Sequence, residues 1–444
     1  MFIFSRDTIA AFATASSSGA VALLRISGPQ ALDALRRLTR KDNFKARRAT
    51  LVKIYDGAEV LDQAVAVVYA APKSYTGQDV AEITLHASAY IKTRVLELLS
   101  ALGVRPAKAG EFTMRAFMAG KMDLTQAQGV ADIIAGKNKA AHKAAMNAMD
   151  GKLSQKFKHI KEGLSELLAQ IEVRLDDTDE EMPPLDGQAA QKNLSAVMEE
   201  AQKLAATFCS GRLIKDGVKA AIAGVPNSGK SSLLNALLGF ERAIVSEQSG
   251  TTRDTIEAAF NAGGYSVILT DTAGIREHAL DAAEKEGMAR SKKAVQSADI
   301  VIFVKDLNAQ DSALQERLLK EISAGGKKVI EVINKADLLP QNFKDGLLIS
   351  AKTGRGIDAL KEEILKVTEL SALQEDDILI TSAAHYDALI KAAGELKSAG
   401  ENLKNLELAA EHLRAALRAL KELIGEVTTD NILDVIFSKF CVGK

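Results

Sequence analysis

Apolar and polar positions change their period several times along the chain, and those changes divide it. Over residues 1–118 short apolar runs alternate with turn signals, so TIAAFAT, AVALLRIS, TLVKIYD, AVAVVYA and AEITLHA read as strands. PQALDALRRL and AYIKTRVLELLSAL carry helical spacing, and Gly28-Pro29, Asp56-Gly57 and Thr76-Gly77 mark turns. That pattern predicts a compact α+β domain. Over 119–210 the spacing becomes that of long helices, with Leu153, Phe157, Ile160, Leu164, Leu167, Leu168 and Ile171 on one apolar face. Residues 211–370 alternate strands with helices, as a doubly wound α/β domain does. Helical spacing returns over 371–444, where Leu403, Leu406, Leu413, Leu417, Leu420 and Ile424 fall on one stripe. Two helical blocks thus flank one α/β module. The economical arrangement is one discontinuous helical domain with the module inserted; two separate bundles are the alternative. The acidic segment DDTDEEMPP inside the first block is expected to be a solvated loop rather than a metal site.

Composition narrows the class. A chain of 444 residues, 47% hydrophobic, has length for roughly two to four domains, each with its own core. Its 57 Lys and Arg nearly cancel its 58 Asp and Glu, so any contact with nucleic acid must come from a local patch. Cys209 and Cys441 stand far apart with no C-x-x-C, which excludes a disulfide framework and a cysteine zinc site. No apolar run reaches about 18 residues and MFIFSRDTIAAF lacks the build of a signal peptide, so the expected location is the cytoplasm, away from membrane.

The chemistry concentrates at residues 218–231. There the apolar run VKAAIAG opens into VPNSGKSS and then LLNALLG, matching G-x-x-x-x-G-K-[ST] at Gly224, Gly229, Lys230 and Ser231. A strand, a loop of small residues and a helix N-terminus make a cradle for phosphates, because the first N–H groups of a helix are unpaired and partly positive. Lys230 belongs over the β- and γ-phosphates and the Ser231 hydroxyl on Mg2+. Downstream, SVILTDTAG ends a strand at Asp271, placed to hold the metal through water, with Gly274 near the γ-phosphate; EQSGTTRD offers Thr252 as a second hydroxyl ligand. VIEVINKADLL then ends in Asn334, Lys335, Ala336 and Asp337. Guanine presents two donors along one edge, which a carboxylate accepts together, whereas adenine would leave Asp337 facing a lone pair. Ser350, Ala351 and Lys352 supply a backbone N–H for the guanine oxygen, so the nucleotide is expected to be GTP. Ile275 follows Gly274 where many small GTPases carry a glutamine, and Glu284 is the candidate for orienting the attacking water.

Together these residues resemble the tRNA-modifying GTPases of the MnmE or TrmE family. The likeness rests on GVPNSGKSSLLNALL, GTTRDT, DTAGIRE, NKAD and the final FCVGK, and extends through LLRISGP, APKSYTGQDVAEITLH and AGEFTMRAFMAGKMDLTQAQGV. The resemblance implies an N-terminal domain similar to tetrahydrofolate-binding domains (1–118), a discontinuous helical domain (119–210 and 371–444) and an inserted Ras-like P-loop GTPase domain (211–370). It implies nucleotide contacts from Asn227, Ser228, Gly229, Lys230, Ser231, Ser232, Ser246, Glu247, Gln248, Ser249, Gly250, Thr251, Thr252, Asp271, Thr272, Ala273 and Gly274. It further implies a K+ ion held by Asn227, Ser246, Gln248 and Thr251 in place of an arginine finger, with Glu284 catalytic. A tetrahydrofolate derivative (5-formyl- or 5,10-methylene-) would meet Arg25, Glu82, Lys121 and Lys444. Cys441, which in another context would be a small buried hydrophobe, becomes a catalytic candidate beside that site. The implied assembly is a homodimer working with an FAD-dependent MnmG/GidA-type partner, as a heterotetramer, on the C5 position of the wobble uridine of tRNA, with a carboxymethylaminomethyl or aminomethyl group as the addition. The alternative is a switch GTPase that binds RNA or ribosome without modification chemistry; no KH-like appendage supports it.

Overall fold

The computed structural model describes residues 7–15, 19–176, 182–239, 258–270, 294–306, 312–340, 343, 346–374, 377–427, 433, 436–438 and 440–443. Contacts group the chain into two units, one of residues 1–131, 148–191 and 398–444 and the other of 132–147 and 192–397.

The first unit holds a six-stranded sheet built from β1 (Ile9–Phe12), β2 (Val21–Ser27), β3 (Thr50–Asp56), β4 (Glu59–Tyr69), β5 (Val80–His86) and β6 (Arg105–Pro106), in the order β3-β4-β5-β2-β1-β6. All pairs are antiparallel except β1 with β6. Each strand alternates inward and outward side chains, so one face is apolar and buried. Against that face lie α1 (Ala31–Thr39) and α2 (Ala89–Ala101), closing a core that includes Leu24, Ile26, Leu35, Ile54, Ile83, Leu85, Val95 and Leu99. On the other face Ile9 and Ala11 of β1 are buried against Phe112, whereas Leu51, Val21 and Val65 are 63%, 59% and 38% exposed. The glycines read as turns do turn: Gly28, Gly57 and Gly77 all have positive φ.

After α3 (Glu111–Met118), α4 (Leu124–Ala135) and α5 (Lys139–Met149) comes the long α6 (Lys152–Leu175). Its stripe of Leu153, Phe157, Ile160, Leu164, Leu167, Leu168 and Ile171 is buried as the spacing requires. It packs along a helix made some 230 residues later, Leu406–Ile424, whose Leu413, Leu417, Leu420 and Ile424 are buried. Each such side chain contributes roughly 1.5–3 kcal/mol over exposure, so tertiary contact rather than local propensity holds α6. The late helix begins at Asn405, whose side chain accepts from the Leu408 N–H at 3.2 Å, and stops at Gly425 with φ 80°. Leu403, expected on the same stripe, precedes the helix.

The second unit continues through α7 (Gly187–Ala206), α8 (Phe208–Asp216) and β7 (Val218–Gly224), then α9 (Lys230–Gly239), β8 (Ala258–Ala262), β9 (Tyr265–Thr270) and β10 (Ile300–Lys305). It finishes with α10 (Ser312–Ala324), β11 (Lys328–Ile333), β12 (Leu347–Leu348), α11 (Ile357–Val367) and α12 (Ala383–Glu401), leaving Leu406–Ile424 as α13. The sheet runs β12-β11-β10-β7-β9-β8, parallel except for the β8–β9 hairpin. Strand order changes direction at β7, between β10 and β9. In open α/β sheets the crevice beyond the carboxyl ends at such a point is where ligands bind. The core beneath includes Val218, Leu233, Leu237, Ile302, Val304, Val332, Ile349 and Leu360. No described helix is long and apolar enough to cross a membrane.

Candidate functional site

The loop from β7 to α9 lies at that switch point. Close packing demands its glycines: a Cβ on Gly224 would come 2.4 Å from the Val304 carbonyl oxygen, and one on Gly229 2.1 Å from the Asn334 side-chain nitrogen. Both have positive φ, and so does Asn227 at 60°, an uncommon state for a residue with a side chain. The Ser228 hydroxyl is buried inside the loop and has no hydrogen-bond partner among the described residues. Lys230 curls over the loop and donates to the carbonyls of Gly224 (3.0 Å) and Val225 (2.8 Å). Burial pushes its ammonium pKa down. An unsatisfied hydroxyl, a lysine and the N–H groups opening α9 converge here, a donor set that fits a polyphosphate.

The residues expected to read a base are tied to this loop by one amide. Asn334, only 4% exposed at the end of β11, donates to the Ser228 carbonyl at 3.1 Å and accepts from the Ala351 N–H at 3.2 Å. Of the three residues named for the guanine oxygen, Ala351 thus has its N–H bonded to Asn334, and the Asn334 side chain joins the loops of Ser228 and Ala351 to its own. Lys335, at φ 64°, points to Asp306 with Nζ 2.5 Å from Oδ2. Asp337 is exposed and accepts from the buried Ser350 hydroxyl at 2.6 Å. That hydrogen bond is the main reason its carboxyl lies below the usual range, with Lys352 adding a smaller pull, so the group is an anion when it meets a ligand. Asp306 was not foreseen; nothing in its spacing marks it.

Of the other expected residues, Ser246, Glu247, Gln248, Ser249, Gly250, Thr251, Thr252, Asp271, Thr272, Ala273, Gly274, Glu284 and Lys444 lie outside the described residues. β9 ends at Thr270, directly before Asp271.

In the first unit, register sets Arg25 on β2 opposite Glu82 on β5. They form an ion pair at 2.8 Å, and Arg25 also reaches the Gly443 carbonyl at 3.4 Å. The guanidinium sits 5.4 Å from the Tyr75 ring centre and 5.6 Å from that of Phe112, while the Tyr69 hydroxyl donates to Glu82 at 3.4 Å. Burial, followed by the Glu82 charge, raises the Tyr69 pKa. Val442 bridges to Ala109, and the Gly110 N–H donates to the Cys441 carbonyl at 3.4 Å, so the FCVGK segment comes to the same side of the sheet as Arg25. Cys441 is exposed, which the buried-hydrophobe reading did not anticipate. Lys121 is exposed near Gly77: a Cβ there would stand 3.5 Å from Lys121 Cε.

Beside it runs a buried charge network that periodicity does not reveal. Glu111, 1% exposed, accepts from Arg105, Arg115 and the Lys108 N–H, and Asp7 accepts from both arginines. Burial alone would raise the Glu111 pKa, but those donors outweigh it and the net shift is downward. The network fixes the start of α3 and with it Phe112.

Comparison with known proteins agrees with this geometry. Residues 8–121 match a family model described as the GTP-binding protein TrmE N-terminus, and residues 124–441 match the MnmE helical domain. The tRNA modification GTPase MnmE of Christiangramia forsetii is 38% identical, with 99% of each chain covered. That of Aquifex aeolicus is 40% identical over 99% of this chain and all of its own. A crystal structure of Aquifex aeolicus Era is 29% identical over 40% of this chain and 65% of its own, with a TM-score of 0.27 that carries no weight. On the two family models and the full-length relatives, the chain belongs to the MnmE family of tRNA modification GTPases.

Proposed function

We propose that the chain hydrolyses GTP and couples that hydrolysis to modification of the wobble uridine of tRNA. The observation that supports it most is the single Asn334 amide bonded both to the phosphate loop and to the loop of Ser350 and Ala351, whose Ser350 hydroxyl holds Asp337. GTP would lie with its phosphates over the N-terminus of α9 under Lys230 and its guanine edge against Asp337. Ser231 and Thr252 would hold Mg2+, with Asp271 through water. Asn227, Ser246, Gln248 and Thr251 would hold K+, whose charge would offset what develops between the β- and γ-phosphates. Glu284 would orient the attacking water.

The second half of the proposal concerns carbon transfer. Arg25 and Glu82, flanked by the rings of Tyr75 and Phe112, offer a cation, a carboxylate and flat walls, which suits a reduced folate with its heterocycle and glutamate tail. Such a folate would supply a one-carbon unit at C5 of the base. Lys121 and Lys444 would add charge for the tail, and Cys441 is the candidate nucleophile. Homodimerisation through the first unit and an FAD-dependent MnmG/GidA-type partner complete the reading; the exposed apolar patch of the β3-β4-β5-β2 sheet supports the first of these.

Turnover of GTP against ATP, in K+ and in Na+, tests the nucleotide half. Preference for GTP that Asp337→Asn abolishes, and a rate that depends on K+, are expected; equal use of both purines would end it. Mass spectrometry of tRNA nucleosides from cells carrying Cys441→Ser tests the other half, with loss of the wobble group expected and unchanged tRNA refuting it.

A further inference from the structure

The chain as a whole is nearly neutral, yet between Arg36 and Lys53 it places eight lysines and arginines against one carboxylate, Asp42. The stretch runs from the last turns of α1 to the edge strand β3. Only Arg37 among those eight has a carboxylate partner among the described residues, Asp33 at 2.9 Å. Cationic side chains commonly protect a sheet edge from pairing, but a few suffice for that.

The backbone that carries them is built, not loose. Phe44 packs on the core, the Arg36 side chain donates to the Asp42 carbonyl at 3.3 Å, and the Arg47 N–H donates to the Val68 carbonyl at 2.8 Å. Arg40 and Arg47 both sit in the left-handed region, at φ 51° and 59°, where glycine or asparagine would be at ease. Arginine stands at both turns. Arg40 stacks on Tyr55 at 4.4 Å, and Arg47 donates to the Lys73 carbonyl at 3.0 Å. Val68, the acceptor for Arg47, precedes Tyr69, which bonds Glu82 of the Arg25–Glu82 pair. The basic edge therefore adjoins the candidate one-carbon site.

We infer that the α1–β3 edge is the surface that grips the phosphate backbone of tRNA and sets a base beside Arg25 and Glu82. The inference rests on the proposed tRNA chemistry. Lysines and arginines that, Arg37 aside, have no carboxylate partner among the described residues, displayed along an ordered edge, suit a polyanion with regularly spaced charges, read through its backbone and not its sequence. Carbonyl contacts orient Arg36, Arg40 and Arg47 without neutralising them.

The test measures binding of a tRNA transcript to the full chain over a series of KCl concentrations. One variant is R40G/R47G, which removes two cations where glycine suits the backbone, so unfolding is not the cause of an effect; the other is K41E/K45E/R48E. Each should weaken binding about tenfold or more near 0.1 M KCl and flatten the slope of log Kd against log[KCl] by about 2 to 3, with GTP turnover in the absence of tRNA unchanged. Affinity and slope equal to the unaltered chain would overturn the inference. So would intact RNA binding with modification lost only when the FAD partner is present, which would make the edge a protein dock. An unaltered chain that binds no tRNA would remove both this surface and the reading beneath it, whereas equal binding by variants and parent removes the surface alone.

Discussion

His385 is 5% exposed on α12, and burial, with the Lys215 charge behind it, holds its pKa down at about 4. Above pH 6.5 the ring is neutral in folded and unfolded chains alike. Below that the unfolded chain takes up a proton that the native state refuses until about pH 4, so stability falls across this window by roughly 3 kcal/mol. Urea unfolding of the second unit should accordingly shift to lower midpoints between pH 7 and 4.5, and His385→Phe should lose much of that shift; identical pH dependence in the variant would show that another group titrates. At Gly229 the constraint is steric. A Cβ there collides with the Asn334 amide that ties the phosphate loop to the base-reading loop, so Gly229→Ala should lower GTP affinity about a hundredfold by titration calorimetry. Affinity equal to the parent's would show that the amide can swing aside without loss.

At the scale of elements, the charge network at the start of α3 substitutes for apolar packing. Glu111→Gln leaves Arg105 and Arg115 facing a neutral amide in a buried site, and removing one partner of a buried pair costs roughly 3 kcal/mol. Thermal unfolding of the first unit should fall accordingly, and a variant as stable as the parent would show that Asp7 alone satisfies both arginines. This network also shows where the sequence stops being legible. The α6 stripe could be read because a helix repeats its buried face every three to four residues, and Gly57 and Gly77 because a turn needs a local φ. The pairing of Arg105 with Asp7, or of Arg25 with Glu82, is made by segments distant in sequence and leaves no periodic trace. The same holds for Asn334: its place after β11 was legible, but its bonds to Ser228 and Ala351 depend on how three loops close.

For the whole molecule, the proposed homodimer would form on the exposed apolar patch of the first unit's sheet. Leu51, Val21 and Val65 expose apolar surface there, so L51E/V65E should convert the proposed homodimer to a monomer by sedimentation velocity. Unchanged mass in that variant would place the interface elsewhere. The pairing of α6 with α13 has a consequence for synthesis. About 230 residues separate the two helices, and at roughly 5–20 residues per second a ribosome needs roughly 10–50 s to cover that distance. Throughout that interval the nascent chain displays the oily side of α6 with its mate still unmade, while the α/β module emerges between them. A holding chaperone has its opening there, and slowing translation within 176–405 should lengthen the time it stays bound.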